Sequence, residues 1–193
     1  MLPTLDNPRI LDVGCGTGIP TMALADLTQG EIVAIDIDLQ AIRHLQKKIL
    51  QRGLSSRVEA IHCSLEELSS PPESFEIIWE EGVIHILDLE EFLTITKRLL
   101  KSGGFLVINE TITWLERHRV QFLHKGFDFW TQFLLPKNSW WTEYYAVLEK
   151  RVEELRCAKN FTQDITKLQR YADEIALVKP DPGKYDCGFY VLR

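Results

Sequence analysis

The apolar positions of this chain fall into two rhythms. Short runs rich in β-branched residues read as buried strands, and longer segments with apolar residues three and four apart read as helices. The first run, Ile10-Leu11-Asp12-Val13, enters Gly14-Cys15-Gly16-Thr17-Gly18, and a helix is expected over 20–27, with Pro20 in its first turn. Further strands are expected over 31–36, 58–62, 75–79 and 105–109. Between them, Ile42, Leu45 and Ile49 share a helical face behind Asp38 as N-cap, with Gly53 placed to end the helix. Phe92, Ile95 and Leu99 share another face behind Asp88, with Glu91 three residues on as in a capping box.

The later part of the chain is less regular. A helix is expected over 111–125 and strands over 127–135 and 185–192. In the span 136–183, Trp141, Tyr145, Leu148, Val152 and Leu155 repeat at helical spacing. Ile165, Leu168, Ala172 and Ile175 do so again after a candidate N-cap at Thr162. The reading is one α/β domain over 1–193, with a two-helix insertion at 136–183 between the last two strands.

Composition narrows the function classes. A length of 193 residues allows a sizeable core, and a net charge of -6 argues against a broad nucleic-acid surface. Within 136–183 the eight basic and eight acidic side chains cancel, so the insertion is no nucleic-acid arm. No apolar run reaches the roughly 18 residues that span a membrane. Cys15, Cys63, Cys157 and Cys187 fit no zinc spacing and read as free thiols of a reducing cytoplasm, with no metal site expected. The sequence sets no oligomeric state and is compatible with a homodimer.

The chemistry concentrates at strand ends. Three glycines at alternate positions let the backbone turn sharply and approach a ligand closely. Asp12, two residues before the first of them, suits a ligand with positive charge or hydroxyls better than a phosphate. The dinucleotide fingerprint G-x-G-x-x-G would need glycine where Ile19 stands, which argues against a nicotinamide enzyme. Asp36, at the end of the second strand, is placed to accept hydrogen bonds from ribose hydroxyls.

The stretch Asp12 to Gly18, D-V-G-C-G-T-G, resembles motif I of the class I S-adenosylmethionine (SAM) dependent methyltransferases. The L-K-x-G-G turn from Leu100 to Gly104 adds to the resemblance, which covers about 8–135 and the last strand. W-x-E-G from Trp79 to Gly82 is similar to the ubiquinone and menaquinone C-methyltransferase-like branch. The resemblance implies a Rossmann-like, mostly parallel seven-stranded sheet flanked by helices, with an antiparallel last strand. It implies SAM as cofactor, S-adenosylhomocysteine as product and a small-molecule methyl acceptor. By position, Asp12, Gly14, Cys15, Gly16, Thr17, Gly18, Asp36 and Ile37 are then cofactor contacts, and Ser64 and Leu65 meet the adenine. Glu80 or Glu81 is a candidate for the ammonium of the methionine moiety, and His85 and Glu81 are candidates for a general base. Trp140, Trp141, Tyr144 and Tyr145 are candidates to line an acceptor pocket, with the insertion as a lid. Two alternatives stay open. One is a non-catalytic SAM-binding protein that acts through a partner. The other is a protein methyltransferase, suggested by Glu81 and Glu90 nine residues apart.

Overall fold

The computed structural model describes residues 2–157 and 165–193. Its strands are β1 (Ile10–Val13), β2 (Ile32–Asp36), β3 (Val58–His62), β4 (Phe75–Glu81), β5 (Leu100–Thr111), β6 (Phe129–Leu134) and β7 (Cys187–Leu192). They form one seven-stranded sheet in the order β3-β2-β1-β4-β5-β7-β6. β1 pairs in parallel with β2 and β4, β2 with β3, and β4 with β5. β7 runs antiparallel to β6: Asp128 and Arg193 exchange backbone hydrogen bonds of 2.8 and 2.9 Å, and the Leu135 N–H reaches the Cys187 carbonyl at 3.0 Å. This is the expected mixed Rossmann-like sheet.

Period-two alternation builds a core on each face of the sheet. Leu11, Val13, Val33, Ile35, Ile78, Leu106 and Ile108 point to one face, where they meet Phe92, Leu93 and Leu99 of α3 (Leu89–Leu99) and Leu115 and Phe122 of α4 (Ile112–His124). Ile10, Ile32, Ala34, Ile77, Phe105 and Val107 point to the other face. There they pack on Leu24 and Ala25 of α1 (Ile19–Leu27) and on Ile42, Leu45 and Ile49 of α2 (Leu39–Gln51). The caps form as the spacing requires. The Asp38 carboxylate accepts from the N–H groups of Gln40 and Ala41 at 2.7 and 3.2 Å, and Asp88 accepts from Glu91 N–H at 2.9 Å.

Two strands are longer than the apolar runs that announce them. β4 continues through Glu80 and Glu81, which keep their ladder partners Ile108 and Asn109. β5 begins at Leu100, but Phe75 lies opposite Leu100 and Ile77 opposite Phe105, so residues 101–104 form an excursion from the ladder. Gly103 turns that excursion at φ 77°.

The described chain divides into two units. The first comprises the described residues up to Glu110, with Trp114–Phe133 and Phe189–Arg193, and the second Thr111–Thr113 and the described residues within Leu134–Gly188. The second unit has its own core. Val152 of α5 (Ala146–Cys157) meets Leu168 and Ile175 of α6 (Ile165–Val178), with Trp141, Tyr145, Leu148, Leu155, Tyr171 and Ala172 packed around them. The two predicted apolar stripes therefore meet each other. Trp140–Tyr145 winds as a π-helix leading into α5. The N-cap expected at Thr162 lies outside the described residues.

Candidate functional site at the switch between β1 and β4

The chain order of the sheet reverses at β1, whose neighbours are β2 on one side and β4 on the other. In open α/β sheets the carboxyl ends of strands at such a switch form the ligand crevice. The predicted chemistry collects there. β1 feeds the glycine turn, β2 ends in Asp36, and β4 ends in Glu80 and Glu81.

Each glycine of the turn has a left-handed backbone, with φ values of 71°, 53° and 87° at Gly14, Gly16 and Gly18. Their surroundings differ. A Cβ at Gly14 would meet the Val83 methyls at 2.6 and 2.7 Å, and one at Gly18 would run into Leu45, so both are also packing positions. A Cβ at Gly16 would meet nothing within 4 Å, so this peptide faces open space. The Gly16 N–H donates to Asp36 Oδ2 at 2.8 Å, and the Asp38 N–H donates to Asp36 Oδ1 at 2.8 Å. Each carboxylate oxygen thereby holds one backbone donor and keeps a further acceptor position. Beside Asp36, Ile37 leaves 72% of its surface exposed. Thr17 is exposed, and its carbonyl accepts from Lys48 Nζ at 2.8 Å.

Other expected contacts are turned inward. Cys15 is buried in the sheet core, and burial pushes its thiol pKa up, so only its backbone reaches the crevice. Leu65 is likewise a core side chain. Ser64 is half-buried and forms a reciprocal cap with Glu67: Ser64 N–H to Glu67 Oε2 at 2.9 Å, and Glu67 N–H to Ser64 Oγ at 3.3 Å. Asp12 is buried, accepts from Thr21 Oγ1 at 2.6 Å, and has its pKa pushed up to about 7 by that burial, with the nearby charges of Glu81 and Asp36 adding to the rise.

Glu80 needs a correction. It has no exposed surface, so its side chain does not reach a ligand. Its Oε1 instead accepts from the N–H groups of Val83 and Ile84 at 2.5 and 2.9 Å. Burial lifts its pKa to about 8. Glu80 thus pins the loop that follows β4, and Val83 of that loop packs on Gly14. Glu81 is half-buried and accepts from Trp79 Nε1 at 2.7 Å, and burial raises its pKa. His85 lies in the short 3-10 turn Ile84–Ile86 with 48% of its side chain exposed. Its Nδ1 is 3.0 Å from Oε2 of Glu110 near the end of β5.

Glu110 is the residue that sequence reasoning missed. The apolar run of β5 stops at Ile108, and the strand was expected to end at Asn109. The available signal was the pair of polar residues Asn109-Glu110, which the structure buries at 4% and 8% exposure.

Trp140, Trp141, Tyr144 and Tyr145 belong to the second unit, and there the Trp140–Tyr144 and Tyr144–Tyr145 rings pack edge to face. Glu90 is in the first turn of α3 and pairs with Lys125 at 2.9 Å. A polar cleft at the opposite, amino-terminal edge of the sheet is lined by Arg9, Glu31, Ser56 and Arg57. Its charges are spent internally, with Arg9 on Glu31 at 3.3 Å and Arg57 on the Ala25 carbonyl at 2.5 Å.

The comparisons with known proteins bear on this crevice. The family described as "Methyltransferase domain" matches residues 10–104, from β1 through the glycine excursion of β5. Over these residues the chain is similar to the class I SAM-dependent methyltransferases, which supports the resemblance seen at the glycine turn. It is 32% identical over 129 residues to the ribosomal protein L11 methyltransferase of Pelobacter propionicus, covering 65% of this chain and 38% of that protein. It is 29% identical over 132 residues to the ubiquinone/menaquinone biosynthesis C-methyltransferase of Shewanella oneidensis, covering 67% of this chain and 51% of that protein. The chain therefore spans about half or less of the length of these relatives. Among solved structures, the [4+2]-cyclase SpnF superposes with a TM-score of 0.77 at 18% identity, over 97% of this chain and 75% of that one. That similarity shows the methyltransferase fold, which unrelated chemistries share.

Among the described residues, no helix is long and apolar enough to cross a membrane. No group of three or more histidine, cysteine or acidic side chains there has the arrangement of a metal site. All four cysteines are free thiols.

Proposed function

We propose that this chain transfers the methyl group of SAM to a small-molecule acceptor. The observation that carries the reading is Asp36. Its carboxylate ends β2 at the switch point, is fixed by Gly16 N–H and Asp38 N–H, and retains acceptor capacity toward a ribose diol. The open face of Gly16 and the exposed Ile37 beside it fit a nucleoside, and the half-buried acid Glu81 at the end of β4 suits a cationic ligand better than a phosphate.

When bound, SAM supplies an electrophilic methyl on a cationic sulfur. The residues of this chain then have separable tasks. Asp36 holds the ribose, the backbone of Gly14 to Gly18 lines the methionine end, and the exposed Ile37 offers the adenine an apolar seat. Glu80 fixes the loop after β4 against the glycine turn. Holding acceptor and methyl in line is the main catalytic task in such a transfer. His85 takes a proton where the acceptor must lose one. The net charge of -6 favours a small acceptor over nucleic acid, and the four free thiols suit a reducing cytoplasm.

One relative is named for a ribosomal protein substrate, which supports a second reading, a protein acceptor. Glu90 gives that reading no help, because it pairs with Lys125 and not with Glu81. Calorimetry with SAM, S-adenosylhomocysteine and NAD tests the cofactor. Micromolar binding of the first two and none of NAD is expected. Failure of both nucleosides to bind the folded protein would refute the proposal.

A further inference from the structure

The second unit carries aromatic side chains that its core does not use. Tyr145 packs against the core formed by Val152, Leu168 and Ile175, but Trp140 and Tyr144 stay outside it, with 36% and 42% of their surface exposed. The winding of the segment gathers these three rings. Trp140–Tyr145 is a π-helix, and the Ala146 N–H donates to the Trp141 carbonyl five residues back. In an α-helix Tyr145 would stand about 140° around the axis from Trp140. The wider π turn sets Tyr144 and Tyr145 on either side of it, and turns of this kind are frequent at functional sites. The ring centroids lie 5.7 Å apart for Trp140–Tyr144, 6.5 Å for Trp140–Tyr145 and 4.9 Å for Tyr144–Tyr145, at interplanar angles of 89°, 49° and 79°.

An acid stands beside the rings. Glu174 of α6 is half-buried, and its carboxylate makes no hydrogen bond or ion pair among the described residues. Burial raises the pKa of Tyr144 and of Tyr145, and the charge of Glu174 adds to the rise in both, which places the carboxylate within electrostatic reach of each ring. Arg170, one turn earlier on α6, acts on Tyr144 in the opposite sense but forms no ion pair with Glu174. Aromatic faces and an unpaired carboxylate both attract a cation. The donors present select which cation. Trp140 Nε1–H is committed to Cys187 Sγ at 2.6 Å, so the indole offers its face and no polar group. A primary ammonium has three N–H groups that need acceptors, and ring faces supply none. An alkylated ammonium carries its charge behind methyl groups and leaves water at little loss.

We propose that Trp140, Tyr144 and Glu174 form a binding site for the alkylated ammonium group of a small molecule, with Tyr145 behind them. The exposed faces of Trp140 and Tyr144 meet the methyl groups, and Glu174 supplies the balancing charge. The site lies wholly within the second unit. It goes beyond the methyl-transfer reading and does not depend on it, because no residue of the cofactor crevice takes part. A small molecule suits it better than a methylated lysine on a basic peptide. Over 136–183 the eight basic and eight acidic side chains cancel, which leaves no acidic track for such a peptide.

The test titrates the whole chain, without SAM, with choline, with dimethylbutanol as its neutral carbon isostere, and with ethanolamine as its primary ammonium counterpart. Nitrogen-15 NMR follows the indole resonance of Trp140, which Trp140→Phe identifies. Choline is expected to shift that resonance and to bind about tenfold tighter than the isostere, the scale of a desolvated cation on aromatic faces. Ethanolamine should bind more weakly than choline. Glu174→Gln and Tyr144→Leu should each weaken choline about fivefold, and Trp130→Leu, an aromatic change in the first unit, should leave it unchanged. Equal affinity for choline and the isostere would reduce the patch to an apolar surface and overturn the proposal. So would the absence of choline binding, tighter binding of ethanolamine, or full choline affinity in a folded Glu174→Gln protein. If Tyr144→Leu does not fold, Glu174→Gln and the isostere still decide. A trimethyllysine peptide that bound tighter than choline would overturn the small-molecule assignment.

Discussion

Asp36 and Glu80 are both acidic residues at strand ends, yet their surroundings give them opposite uses. Asp36 is half-exposed and ties two backbone N–H groups while keeping acceptor capacity for a ligand. Asp36→Ala should weaken S-adenosylhomocysteine binding by about 1.5–3 kcal/mol, the range for hydrogen bonds to a charged group, and calorimetry reads this directly. Unchanged affinity in a folded variant would remove Asp36 from the ribose. Glu80 is fully buried and its pKa stands near 8 against an ordinary 4.5. Between those two values the unfolded chain has lost its proton and the folded chain keeps it. The unfolded state then binds fewer protons, so stability falls as pH rises from about 4.5 and levels off above about 8. Glu80→Gln keeps the acceptor for Val83 and Ile84 and removes the titration. Its melting temperature should therefore fall less than that of wild type between pH 5 and 8. Parallel pH curves for the two proteins would contradict this.

At the scale of elements, glycine conformation and glycine packing can be separated. Gly14 and Gly53 have similar φ values, 71° and 65°, but a Cβ at Gly14 meets Val83 and one at Gly53 meets nothing within 4 Å. Gly53→Ala should cost about 1 kcal/mol for a left-handed backbone. Gly14→Ala should cost that and more, because the loop after β4 must move off the glycine turn. Thermal melts of the two variants test this, and equal losses would mean that the loop is not seated on Gly14. The same contact shows what the sequence made legible. β1, the glycine turn, β2 with Asp36 and the α2 and α3 caps were readable because each depends on neighbours within a few residues. The role of Glu80 was not, since nothing local distinguishes a carboxylate that faces solvent from one that turns back to backbone N–H groups three and four residues on. Nor was Glu110, whose partner is 25 residues away. The ends of β4 and β5 were lost for a related reason: charged and glycine-rich residues imitate loops, and only ladder pairing shows that they belong to strands.

At the scale of the molecule, the crevice and the second core draw on different residues. Every side chain assigned to the cofactor, from Asp12 to Glu81, lies in the first unit, as do His85 and Glu110. Val152, Leu168 and Ile175 form the core of the second. A ligand at 100 times its Kd adds about 2.7 kcal/mol to the state that binds it. In hydrogen exchange, S-adenosylhomocysteine should therefore slow the amides of the glycine turn, the end of β2 and the loop after β4. Val152→Ala removes two methyl groups from a buried site, at a cost of about 1–3 kcal/mol. Its effect should be faster exchange in α5 and α6, with the Kd for S-adenosylhomocysteine held within about twofold. A folded Val152→Ala protein that no longer bound the nucleoside would show that the second core supports the cofactor site. The division of labour argued from residue positions would then be wrong.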